Sequence, residues 1–262
     1  MDYRESPQAP PVLIRSAYEV VDDFKSDFRN YTKKDNLWAL GELFLVSGVL
    51  ANTGLDQGIK KRWQEAWRPK NPSRYDNIFK IPKKIGGVSW LTIPLYTGSM
   101  ALGHLLKDTR IGHPIYQWSY LSFRASVIGG AQQALFTKVL GSGRPCREES
   151  SNWQPFRYEN AVSGHAFYGA IPILTAAKMT RFSGLRYALY GASILPGLAR
   201  INDNRHYTSQ VILGWGLAML SVSTVFQSEE DKDNEVASKN PSFRLDVSPY
   251  PKSPMIKASI RY

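Results

Sequence analysis

Ser163-Gly164-His165 opens a run of twelve uncharged residues, Ala-Phe-Tyr-Gly-Ala-Ile-Pro-Ile-Leu-Thr-Ala-Ala at 166–177, closed by Lys178. Its apolar residues do not alternate, so it reads as helix and not as strand. Ser163 stands where a helix N-cap belongs. Working outward, five more segments have helical apolar content between turn signals, at 37–54, 86–106, 114–140, 184–200 and 207–226. With 163–180 they make six. No stretch alternates long enough for a good strand, and there is no internal repeat. The expected fold is all-α, a bundle of about six core helices with its functional site at one end.

The rest of the chain reads as appendages. Residues 1–35 are expected to be a polar N-terminal tail, 36–226 the helical domain, and 227–262 a polar C-terminal extension. Met255 to Tyr262 alternates weakly, which suggests one added strand. Between the first two helices, 55–85 reads as a polar loop carrying nine Lys and Arg residues. The start of the chain shows neither a basic n-region nor an apolar h-region, so no secretory signal is expected there.

Composition removes several classes. The 262 residues are 43% hydrophobic, ample for a core, and one cysteine cannot form an internal disulfide. The charge is +11, from 33 Lys and Arg against 22 Asp and Glu, which implies an anionic partner. A mean hydropathy of -0.32 argues against a chain made mostly of lipid-spanning helices. The run 166–177 is roughly 18 Å of helix, where a span needs about 20 apolar residues. Placing loop 55–85 outside a membrane would also go against the positive-inside trend. A soluble or peripheral bundle is therefore favoured over six short, tilted spans. Trp63, Trp67 and the basic residues of 55–85 suit an anionic lipid surface. Nucleic acid is not expected, because no binding motif accompanies the basic residues.

Three polar motifs fall at helix ends. They are Lys138-Val-Leu-Gly-Ser-Gly-Arg144-Pro145, then Ser163-Gly164-His165, then Arg200-Ile-Asn-Asp-Asn-Arg-His206-Tyr-Thr-Ser-Gln210. In an up-down bundle these ends share one face. Lys138, Arg144 and Arg200 can pair with the oxygens of one phosphate. Ser163 and Gly164 open a helix whose free N–H groups bind anions. His165 and His206 are two of only four histidines in the chain. One can serve as nucleophile and the other as acid. His104 and His113 are read as structural or surface residues. Cys146 is not read as the nucleophile, because a thiol would leave both histidines and Arg200 unexplained. Trp153, Phe156 and Tyr158 are read as either substrate entrance or packed loop.

The three motifs, in this order, resemble the type-2 phosphatidic acid phosphatase and vanadium haloperoxidase superfamily. The match covers 138–210 in motif and about 37–226 in helical order. The resemblance implies a phosphoric monoester hydrolase needing no metal or other cofactor. Its substrate would be a lipid phosphate or related phosphorylated amphiphile at the cell envelope, in a membrane or at its surface. His206 would attack phosphorus to give a phosphohistidine, and His165 would protonate the leaving oxygen. Lys138, Arg144, Arg200, Ser163 and Gly164 would bind the phosphoryl oxygens. Two alternatives follow from the same resemblance. One is a haloperoxidase, with vanadate as cofactor. The other is a weakly active or non-catalytic member. Four positions depart from the family pattern. One residue fewer separates Lys138 from Arg144, Val162 replaces a proline, and Ala199 replaces a serine. Gln210 stands where the family has the Asp that orients the nucleophile. A Gln carbonyl can accept the His206 N–H but lacks the charge, which predicts a loss of about 1–2 kcal/mol, or roughly 5–30-fold in rate.

Overall fold

The computed structural model describes residues 16–68, 72–86, 89–239, 243–247 and 256–260. Among these, ten α-helices form a bundle: α1 Ala17–Tyr31, α2 Lys34–Asn52, α3 Leu55–Arg62, α4 Pro72–Gly86, α5 Ser89–Leu105, α6 Gly112–Leu140, α7 Gly164–Met179, α8 Ser183–Ala192, α9 Leu195–Asn202 and α10 Thr208–Lys239. A π-helical turn, Trp63–Trp67, continues α3. Strands β1 Phe243–Val247 and β2 Ile256–Ile260 pair antiparallel, with Phe243 opposite Ile260.

The core lies where α6, α7 and α10 meet. Leu121, Ala125, Phe167, Ile171, Leu174, Leu213, Leu217 and Val225 are buried there. Each of the larger side chains contributes roughly 1.5–3 kcal/mol. Small residues let the three helices close up. A Cβ on Gly129 would lie 2.0 Å from Ser221 Oγ, and one on Gly214 would lie 2.5 Å from the Ser163 carbonyl oxygen. The second approach presses α10 against the start of α7.

The all-α expectation holds, but its polar segments are corrected. The stretch expected as the loop 55–85 is mostly helix, as α3, the π turn and α4. Lys and Arg are good helix formers, and buried Asp56 and Phe79 anchor the segment. Within the expected tail 1–35, α1 is a packed helix, while residues 1–15 lie outside the described ones. Ser16 and Glu19 form a reciprocal capping box at its start. Helix α10 continues past the expected end at 226 as far as Lys239. The single helix expected at 184–200 is two, α8 and α9, broken just ahead of Pro196.

One helical stretch, Thr208–Glu235, is long and apolar enough to cross a membrane by length and composition. Apolar side chains also stand exposed along α2 (Leu37, Trp38, Leu45, Val46 and Val49) and α5 (Ile93, Leu95, Leu102 and Leu105).

Candidate active site

The three motifs meet at one end of the bundle and are bonded to each other. The Ser163 amide donates to the Gln210 carbonyl oxygen at 2.9 Å, tying the start of α7 to the start of α10. The Gln210 side chain then donates from Nε2 to the Gly143 carbonyl oxygen at 2.7 Å, reaching the loop that carries Arg144. That loop is itself bound tightly. Gly143 N donates to the Ser150 carbonyl oxygen, and Glu149 accepts from the Arg144 amide. Gly141 takes φ +56° beside the Gln154 carbonyl, a conformation and a clearance that only glycine meets.

The Gln210 amide sets the state of His206. Nε2 faces the Gly143 carbonyl, which can only accept, and also Ser142 Oγ at 2.7 Å. Oε1 faces the Tyr207 amide, which can only donate, at 3.1 Å. The amide therefore has one orientation. His206 Nδ1 lies 2.8 Å from that same Oε1, so Nδ1 carries the proton and donates it. Nε2 is left with its lone pair. Burial pushes the His206 imidazolium down to about 3, helped by Arg200, Arg144 and His165 and opposed by the Gln210 bond. The ring is neutral, of fixed tautomer, and nucleophilic at Nε2.

An acidic side chain would fit poorly at 210. Ser142 already donates its hydroxyl to the Ser151 carbonyl oxygen at 2.7 Å, so toward Gln210 it can only accept. A carboxylate there would meet two acceptors with no donor. Gln210→Glu is thus expected to destabilise the fold by about 1–3 kcal/mol. Thermal unfolding checks this, and an unchanged or raised melting temperature would refute the locked-amide account.

His165 follows Gly164 in the first turn of α7, where main-chain N–H groups have no intrahelical acceptor. Ser163 Oγ takes the N-cap position and accepts from Ala166 N at 3.4 Å. A Cβ on Gly164 would meet only Gln133 Nε2, at 3.8 Å, so protein packing does not require the glycine. Its open face leaves room for an anion against the helix N-terminus. Burial holds His165 down to about 4, with Arg200, Lys83 and Arg144 adding to the effect and Asp203 opposing it.

Arg200 and His206 are joined by a tight turn, in which the Arg205 and His206 amides both donate to the Arg200 carbonyl oxygen. Arg200 Nε is buried without a partner, a donor left for an anion. Arg144 is oriented by Asn160, whose Oδ1 accepts from Arg144 Nε. Lys138 does not join them. Its side chain is 65% exposed and pairs with Glu159 at 3.5 Å. Of the three aromatic residues at 153–158, Trp153 packs edge-on against Phe44, whereas Phe156 is exposed.

Two contributors come from the segment read as a loop. Asp56, fully buried on α3, accepts from the Ser209 amide at 3.0 Å and from its hydroxyl, so it caps the helix that bears Gln210. Lys83 on α4 reaches Asp203 at 2.6 Å. No local pattern marks either residue, since each acts on a partner more than 100 positions away. No family model, curated protein or solved structure matches this chain.

Proposed function

We propose that the protein is a phosphomonoester phosphatase that works without a metal ion through a phosphohistidine, on lipid phosphates or related amphiphiles. The observation that carries this reading is the His206 tautomer, locked with Nε2 free in a site lined by Arg144 and Arg200. Nε2 attacks phosphorus, and a P–N bond forms as the ester P–O bond breaks. His165 gives its proton to the departing oxygen, then takes one from the water that cleaves the P–N bond. Arg144, Arg200 and the α7 N-terminus balance charge on the phosphoryl oxygens. The apolar side chains exposed on α2 and α5, with exposed Lys61, Arg62, Lys80 and Lys84, favour work at an anionic membrane surface of the cell envelope.

Hydrolysis of p-nitrophenyl phosphate and of phosphatidate in micelles, with and without chelator, tests the reading. Turnover of either ester, unchanged by chelator, is expected. Loss on chelation would overturn the metal-free mechanism. No hydrolysis, with vanadate-dependent bromide oxidation by peroxide, would make the protein a haloperoxidase. Inertness in both assays would make it a non-catalytic relative.

The pH dependence follows from the histidines. Protonated His165 falls tenfold per pH unit above about 4. The phosphate dianion rises tenfold per unit up to its second ionisation near pH 6. Their product is level between about pH 4 and 6 and declines above. A kcat/KM maximum above pH 7 would contradict the assignment of His165 as acid.

A further inference from the structure

The site has a cation that the three motifs do not contain. Helix α4 lies along α9 and against α7, and polar contacts hold this segment to the loop before His206. Gln64 donates to the carbonyl oxygens of Ile201 and Asn202, and Asn202 donates to Asp76 at 3.2 Å. This placement brings Lys83 Nζ to 2.6 Å from Asp203 Oδ2. The same oxygen lies 3.7 Å from the Arg200 guanidinium, so both cations are within reach of one anion. Asp203 is only 15% exposed and sits between them. The Lys83 charge is also among those that hold the His165 imidazolium down, after burial and Arg200. Lys138 meanwhile is turned out toward Glu159.

We propose that Lys83 is the third substrate-binding cation of this site, taking a non-bridging phosphoryl oxygen in the role that the motif pattern gives to Lys138. Asp203 holds the ammonium in place and is the internal anion with which the phosphate competes. The inference rests on the phosphatase reading but concerns which lysine meets the substrate.

Binding of inorganic phosphate, measured by calorimetry on the full chain at pH 6, tests it with five variants. Lys83→Ala is expected to weaken binding by about 10–100-fold, the range of one charge-assisted hydrogen bond. Lys83→Arg should restore most of that loss. Lys138→Ala should change binding by less than about threefold, as for an exposed pair. Asp203→Asn should tighten binding, because the competing carboxylate is gone. The opposite signs at 83 and 203 are the decisive feature. If the pair only straps α4 to α9, both variants weaken binding alike, and the proposal is overturned. A large loss at Lys138 with none at Lys83 overturns it too. Arg200→Ala separates this failure from that of the wider reading. If Arg200→Ala weakens binding while Lys83→Ala does not, only the Lys83 role falls. If the wild type binds no phosphate at all, both fall.

Discussion

His206→Ala is expected to lower phosphomonoester turnover by about four orders of magnitude or more, the scale seen when a nucleophile is removed. The substitution takes away the ring nitrogen whose lone pair the Gln210 bond keeps free, and Gln210 has no nucleophilic atom. Folding should survive, because Gln210 keeps its bonds to Gly143, Ser142 and the Tyr207 amide. Rapid-quench trapping of acid-labile phosphoprotein should show label on wild type and none on the variant. Activity within tenfold of wild type, with an unchanged melting temperature, would remove His206 from the nucleophile role. The acid gives a separate signature. His165→Ala should slow alkyl phosphates far more than p-nitrophenyl phosphate, whose leaving oxygen departs without a proton. Equal loss on both esters would show that His165 positions substrate instead.

The structure also explains what the amino-acid pattern could and could not reveal. Helices around 37–54, 114–140 and 163–180 are legible because each is apolar enough to stand out. The helices that the pattern does not announce are held by polar partners. Helix α1 buries Asp23, Asp27 and Asn30, and the far end of α10 answers it with Ser228, Asp231 and Lys232. Hydrophobic periodicity is blind to such a contact, although the capping box at Ser16 and Glu19 was there to be read. The same blindness makes α3 and α4 read as a loop and hides Asp56 and Lys83. Within the site, the histidines and arginines stand out because their spacing survives in one dimension. Lys138 misled because a motif gives the position of a Cα and says nothing of where a flexible ammonium goes. Gln210 is the instructive case. Taken alone, it is a weakened Asp. Among Gly143, Ser142 and Tyr207 it is the residue whose two donors and two acceptor sites are all used.

Arg124→Met is expected to destabilise the fold by about 3–5 kcal/mol while sparing the chemistry. Arg124 lies on α6 with its side chain fully buried. It binds Asp27 of α1 through two parallel hydrogen bonds, at 2.8 and 2.7 Å, and also pairs with Glu229 of α10. Asp23, likewise buried, accepts from the Tyr120 hydroxyl at 2.6 Å and pairs with Lys232. One guanidinium thus joins three helices. Methionine fills much of its volume but leaves Asp27 a buried carboxylate without a counter-ion, which is where the cost arises. At about 2–4 °C per kcal/mol, the melting temperature should fall by roughly 6–20 °C. Arg124→Met with Asp27→Leu removes both charges and should recover a large part of the loss, since an apolar pair of similar volume has no desolvation penalty. Fourteen residues of helix, about 21 Å, separate Arg124 from Lys138 at the site end of α6. Turnover well below the lowered transition should therefore match wild type. An unchanged melting temperature would show that the cluster does not hold α1 to the bundle. Loss of turnover in folded protein would show instead that α1 and the ion cluster govern the distant site.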